Sequence, residues 1–323
     1  MHKSTPEPPY AIGVIGPGRA GTAMAAYLGT HTDVRIVGCA LGSEEHQQRF
    51  MRCNPDTQCF ATIPALVQSC NVIIIAVADG ALGRVCSAMV EECASQGITL
   101  QSRLVMHLSG ACAADVLDSA AEAGAVTVTC HPIQAISAEA AQSPSQAIAT
   151  FTPITFSVQG NDSACQWCAT VLSALGNTVI PISSDNKALY HAATSVAANL
   201  SMALFQSAVM MFEQCGFSQV QARRALAPLI QTNAHSWAEQ GMRALTGPVS
   251  RQDWTTIEKH IQAITACTAA WDKQQQQYQE PLTNEQQHAI DEQQHAQNRA
   301  IHRLLPIYTM LTEQLQDLYN PQH

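Results

Sequence analysis

Charge is what this chain has least of. Only 13% of its 323 residues are charged, about half the usual share, and glutamine carries much of the surface polarity instead. The 16 Lys and Arg against 25 Asp and Glu leave a formal charge of −9. No basic run occurs, so neither nucleic acid nor an anionic membrane surface is expected as a partner. Long apolar runs are missing too. The opening MHKSTPEPPY lacks the apolar centre of a signal peptide, and no uninterrupted apolar stretch reaches the ~20 residues that span a bilayer. The expectation is a soluble, cytoplasmic protein.

A second pair of zinc-type cysteines is also absent. Of twelve cysteines, only Cys165 and Cys168 form a CxxC, and they fall in a helical pattern after a strand. Cys39, Cys70, Cys86 and Cys130 sit in apolar runs, where cysteine behaves as a small hydrophobe. Reduced thiols and no metal site are expected. The Gln-rich segment 272–303 places His288, His295 and His302 at seven-residue spacing. Two helical turns, roughly 10 Å, are too far for one ion. The segment reads as a solvated helix or an insertion.

What is present begins at residue 10. Ala11 to Ile15 reads as a buried strand, followed at once by Gly16-Pro17-Gly18-Arg19-Ala20-Gly21 and an Ala-rich helical segment. Gly16 permits the tight turn, Gly18 lets a pyrophosphate approach the backbone, and Gly21 allows the helix to pack closely on the strand. Phosphates would sit on free N–H groups at the helix's positive end. The chain is expected to bind a dinucleotide. NAD-binding chains carry an acid about 20 residues further on, for the ribose hydroxyls. Here that place reads Ala40-Leu41-Gly42-Ser43, with no carboxylate before Glu44. Ser43 and Arg19 could meet a 2′-phosphate instead, so NADP(H) is expected over NAD(H).

Strand-like runs alternate with helical patterns through residue 183: 34–39, 71–77, 104–108, 126–130, 154–158 and 178–182. The run NVIIIAV is near-continuously apolar, as a strand covered on both faces must be. The expected fold class is α/β, a doubly wound, largely parallel sheet over 1–183. From 184 to 323 strand punctuation disappears, and an all-helical domain is expected. It opens on a long helix from Lys187 to about Phe212, with further helices at 218–238 and 253–271.

Ligands of open α/β sheets bind at the carboxyl ends of the strands. There the sequence places Val77-Ala78-Asp79, His107 with Ser109, and His131. Each has an ordinary reading as loop chemistry, with Asp79 capping a helix or Ser109-Gly110 turning the chain. Together they bring two imidazoles to the edge where a nicotinamide ring would lie. A second cluster, Lys187, His191, Ser195 and Asn199, recurs every fourth residue along an otherwise apolar helix. Such a stripe is either hydrogen-bonded structure or a substrate-facing edge. A lysine there could protonate or polarise a carbonyl oxygen. Arg251, in the loop TGPVSRQD, is either a carboxylate clamp or a salt-bridge partner of Asp253 or Glu258.

These motifs in combination (GPGRAG, HLSGACAADVL at 107–117, HPIQAIS at 131–137, KALYHAATSVAANLSMAL at 187–204 and LTGPVSRQDWTTIEKH at 245–260) resemble the Rossmann-like proteins that carry a DUF2520 helical domain. These belong to the wider superfamily of 6-phosphogluconate dehydrogenase, pyrroline-5-carboxylate reductase and ketopantoate reductase. The resemblance implies an NAD(P)-dependent oxidoreductase that dimerises through its helical domain, with 184–323 also binding substrate. It also implies Lys187 as the catalytic lysine, His191 as its neighbour a turn later, and Asn199 as a substrate contact. Gln252 departs from the pattern, which has glycine in a GP-x-x-R-G-D loop. The expectation is an NADPH-dependent reductase of a small 2-oxo acid, ketopantoate foremost. The same cleft would suit an imine, and a non-catalytic NADP-binding sensor would use the same residues for packing.

Overall fold

The computed structural model describes residues 5–277 and 295–318. Its strands are β1 (Tyr10–Ile15), β2 (Val34–Ala40), β3 (Gln58–Cys59), β4 (Val72–Ile75), β5 (Leu104–His107), β6 (Val126–Pro132), β7 (Thr155–Gly160) and β8 (Thr178–Pro181). They form one sheet in the order β3-β2-β1-β4-β5-β6-β7-β8. Neighbours are parallel except β6 and β7, which run antiparallel. The two-residue β3 has no apolar run of its own, and the sequence pattern does not reveal it.

Alternation along the strands divides two cores. Val72 and Ile74 of β4 face one core, with Ile12, Val14, Met106 and Val128. Ile73 and Ile75 face the other, with Ile15 and Val105. The first core is covered by α1 (Arg19–Leu28) and by Phe50 of α2 (Glu44–Cys53). The second takes Leu66 from α3 (Ile63–Gln68), Leu82, Cys86 and Met89 from α4 (Leu82–Ser95) and Ala120 from α5 (Asp118–Glu122). Phe151 of α6 (Pro144–Phe151) and Trp167 of α7 (Asp162–Ala174) complete the first. A sheet coated on both sides explains why its central strands are apolar throughout.

The first compact unit ends at Ala198 and the second begins at Asn199. The sequence boundary at 183–184 therefore falls earlier than the packing boundary. The reason is α8 (Lys187–Ser195), which goes with the sheet because Lys187 and Tyr190 both hydrogen-bond to β6.

The second unit holds α9 (Ser201–Gln214), α10 (Gln219–Gln240), α11 (Trp254–Gln277), a helical segment at 295–302 and α12 (Leu304–Leu318). Ser218 and Gln221 form a capping box that starts α10, each satisfying a free N–H of the other. Its buried clusters are small: Val209, Ala222 and Leu226 in one, Ile264, Ile301 and Leu304 in the other. Within the helical residues Ser184–Gln214 an 18-residue window reaches a mean hydropathy of 1.4, long and apolar enough by length and composition to cross a membrane. The stretch is not an uninterrupted apolar run, because Ser195, Asn199 and Gln206 fall within it.

All twelve cysteines are free thiols. Cys165 and Cys168 lie on α7, and Cys168 pairs with Cys130 of β6. His302 pairs with Asp272 at 3.0 Å, while His288 lies outside the described residues. Among the described residues no cluster of three metal-type side chains occurs.

Candidate active site

The glycine turn has the geometry its spacing demands. Gly16 adopts φ +81°, and a Cβ there would lie 2.5 Å from Val77 Cγ1. A Cβ on Gly21 would lie 2.7 Å from the Ala76 Cβ, so only glycine lets α1 press onto β4. At Gly18 the nearest atom to such a Cβ is 3.8 Å away, which leaves room for a ligand. Gly18 caps α1 without a side-chain hydrogen bond, leaving the leading N–H groups of the helix to an anion. The residues present thus fit a dinucleotide pyrophosphate.

At the end of β2, Leu41 (φ +64°) and Gly42 (φ +120°) turn the chain into α2. Ser43 is exposed and caps that helix through His46 N at 3.4 Å. Arg19 is exposed on the first turn of α1. The structure adds Arg49, which the sequence reading missed. Its guanidinium reaches the Pro17 carbonyl at 3.5 Å, and its Nε is buried with no partner. The buried Phe50 and Cys53 fix the inner face of α2, and Arg49 stands beside that face against the glycine turn. Arg19, Ser43 and Arg49 offer hydroxyl and guanidinium donors and no carboxylate.

Past β4, Val77 is half-buried while Ala78 and Asp79 are exposed, Asp79 starting a single turn into α4. His107 differs from the expectation of an imidazole open to a ligand. It is fully buried. Nδ1 accepts from the Ser109 N–H at 3.1 Å, so Nε2 donates to the Ala113 carbonyl at 3.1 Å. Burial pushes its pKa down to about 4, and a neutral ring with both nitrogens committed braces the turn. Ser109 does likewise: its Oγ accepts from the N–H groups of Ala111 and Cys112.

The chemistry collects between β6 and α8. Thr129 and His131 alternate with a residue between them, so both point to one face of the strand. Lys187, only 3% exposed, donates from Nζ to Thr129 Oγ1 at 3.2 Å, and Thr129 donates in turn to the Ser109 carbonyl at 3.1 Å. Tyr190, another residue the sequence reading passed over, hydrogen-bonds His131 Nδ1 at 2.6 Å. Its ring centre is 5.6 Å from Lys187 Nζ. His191 lies edge-on to His131, ring centres 6.5 Å apart, with its Nδ1 buried and unpartnered. Gly110 makes this possible. A Cβ there would be 2.8 Å from both His131 Nε2 and His191 Nδ1.

Burial pushes Lys187 down from the usual lysine range and Tyr190 up from the usual phenol range. Burial, reinforced by Lys187 and His191, takes His131 down to about 4. The Asp79 carboxylate acts on Lys187, His107 and His131 alike. The ends of β4, β5 and β6 therefore share one electrostatic neighbourhood, poor in acids and holding a buried ammonium.

Ser195 is half-buried at the end of α8; Asn199 is exposed in the wider turn Val196–Leu200 and belongs to the second unit. Arg251 is exposed in that second unit. Among the described residues no ion pair joins it to Asp253 or Glu258. Asp253 instead caps α11 through the N–H and hydroxyl of Thr256.

The sheet order and the glycine turn define an open, doubly wound α/β protein of the Rossmann type. More particularly, residues 3–132 match the Rossmann-like domain and residues 154–285 match a domain of unknown function, DUF2520. The chain thus pairs a Rossmann-like domain with a DUF2520 domain. Among solved structures it is similar to a Bacteroides fragilis protein provisionally described as an NADP oxidoreductase. The TM-score is 0.63 at 17% identity, covering 95% of this chain and 98% of that one. A reductive aminase from Aspergillus terreus, in complex with NADPH4, cyclohexanone and allyl amine, gives 0.54 at 17%, covering 94% of each chain. A pyrroline carboxylate reductase from Plasmodium falciparum with NADP bound gives 0.51 at 10%, covering 95% and 98%. At these identities the likeness establishes the fold. No curated protein matches the sequence.

Proposed function

We propose that this protein is an NADP(H)-dependent oxidoreductase that reduces a carbonyl or imine carbon in a small, carboxylate-bearing substrate. The observation that carries the reading is the buried Lys187 ammonium, set beside His131 and His191 at the carboxyl end of β6, in the sheet whose β1 leads into the glycine turn. A buried cation without an acidic partner is expensive, and a substrate anion, or negative charge developing on the carbonyl oxygen or imine nitrogen, satisfies it. Bound NADPH supplies the hydride. The chain supplies a strand-end cluster poor in acids, a positive charge near the acceptor atom and groups that can move a proton.

Ketopantoate is one candidate among several. The similar structures are named for pyrroline carboxylate reduction and reductive amination, so the reading is set at the class rather than at that compound. Ser195, on α8 of the first unit, is proposed to add a substrate contact. NADP(H) is preferred because Arg19, Ser43 and Arg49 flank the end of β2, where NAD-binding chains carry an acid.

The second unit supports a homodimer. Its buried clusters are small for a helical unit, while Leu229 (57% exposed), Trp237 (64%) and Met310 (58%) stand open. A second copy covering these faces would supply the missing core.

The test is a fluorescence titration with NADPH and NADH, followed by turnover with pyruvate, ketopantoate and pyrroline-5-carboxylate. Tighter binding of NADPH and its oxidation with at least one of the three are expected. NADH bound as tightly would overturn the cofactor assignment. NADPH bound without turnover of any of the three would return the protein to a binding-only role.

A further inference from the structure

Lys187 is the residue on which a reductase reading first settles as the proton donor, yet the structure places it poorly for that task. Its ammonium is almost fully covered and is held on the sheet side by Thr129. Tyr190 is better placed: it is half-buried, and its hydroxyl is 2.6 Å from His131 Nδ1. We infer that Tyr190 is a catalytic residue that gives the proton to the substrate, with His131 as the group that recharges it. This rests on the reductase reading above.

Three observations converge. The hydrogen bond between Tyr190 and His131 fixes a hydroxyl on a ring nitrogen at the carboxyl end of β6, the edge at which ligands of such sheets bind. Lys187 Nζ stands 5.6 Å from the tyrosine ring centre, where it stabilises a phenolate more than a phenol. Finally, Gly110 leaves the Nε2 side of His131 open: a Cβ there would lie 2.8 Å from that nitrogen and 2.8 Å from His191 Nδ1, a buried atom with no partner. An unpaired buried polar atom of that kind is where a water or ligand group is expected to sit.

The step balances for a carbonyl or a neutral imine. Once the substrate carbon is reduced, the electron pair left on oxygen or nitrogen takes the Tyr190 hydroxyl proton, and the O–H bonding pair stays on the tyrosine oxygen. That phenolate takes the proton from His131 Nδ1. His131 Nε2 in turn accepts a proton from solvent through the space Gly110 leaves open. The groups facing Tyr190 are His131 and Cys130 from β6, Lys187 and His191 from α8, and Ser157 from β7, with Asp79 acting on His131 and Lys187 through space. The cluster therefore recovers its starting protonation after each turnover.

The experiment pairs kinetics with a readout that needs no substrate. In Tyr190→Phe, which keeps the ring, kcat with pyrroline-5-carboxylate, ketopantoate or pyruvate should fall ~10²–10⁴-fold. NADPH affinity should stay within about twofold, since the hydroxyl faces the substrate and not the pyrophosphate turn. In the ligand-free protein, nitrogen NMR of His131 should show its Nδ1 signal moving when the Tyr190 hydroxyl is removed. Wild-type kcat in Tyr190→Phe, with NADPH still bound, would overturn the assignment and leave the reductase reading standing. An unmoved His131 signal would also overturn it. Turnover of none of the three probes by the wild-type protein would remove the reductase reading and this inference with it.

Discussion

Lys187 illustrates how one residue can be costly to stability and valuable to function. Its charge is buried with a single hydroxyl partner among the described residues and no carboxylate, and burial pushes its pKa down. Replacing a buried charged group with an apolar one of similar length is often neutral or stabilising. Lys187→Met should therefore fold with a Tm equal to or above wild type. If the ammonium polarises the acceptor atom, kcat should fall by about two orders of magnitude, typical of losing one transition-state partner. Thermal unfolding and steady-state kinetics on one preparation decide it. A large drop in Tm with kcat intact would make Lys187 a structural residue. His107 shows the opposite balance: its imidazole is just as buried, but both nitrogens have partners, so it braces the strand-end turn.

At the scale of the element, backbone conformation explains why one sequence pattern prefers glycine. The loop before α11 has Gln252 at φ +55°, the position where the related pattern carries glycine. A side chain there costs about 1–2 kcal/mol of local strain, partly offset because glycine has more freedom to lose on folding. Gln252→Gly should leave the Asp253 cap on Thr256 intact and raise Tm by about 1–3 °C. Differential scanning calorimetry reads this, and an unchanged or lower Tm would show that the loop relaxes around glutamine without strain. Leu41 has a similar conformation at φ +64°, but it lies where the chain leaves β2 toward the proposed ribose site. Strain of that kind persists at ligand-holding turns because the surroundings enforce it. The elements α1 and α8 carry the rest of the site. In α1, small residues let a helix end meet an anion; in α8, spacing of three and four brings Lys187, Tyr190 and His191 toward the sheet edge.

Across the whole molecule, what matters is how much of the apolar surface is covered. The first unit has two extensive cores, one on each face of the sheet. The second has small ones and leaves Leu229, Trp237 and Met310 exposed. Apolar side chains grouped on exposed helix faces mark protein interfaces. If a second copy covers them, Leu229→Glu should convert the protein to a monomer and lower its Tm, because a charge cannot be buried unpaired. Light scattering after size exclusion distinguishes the outcomes; a wild-type monomer at micromolar concentration would remove the dimer.

The glycine turn, the alternation of strands and helices, and the lack of a carboxylate between β2 and Glu44 were all legible in the residues. Each depends on neighbours close in sequence: a tight turn needs glycine, a doubly covered strand needs an unbroken apolar run, and a helix repeats every three to four residues. Lys187, His131 and His191 could be named as candidates because their positions at strand ends and along α8 follow from those periods. The pairing of Tyr190 with His131, residues 59 apart, could not. Nor could the burial of His107, the reach of Arg49 to Pro17, the small β3, or the attachment of α8 to the first unit. Those depend on which distant side chains meet once the sheet is closed over both faces, a matter of packing that no local pattern encodes.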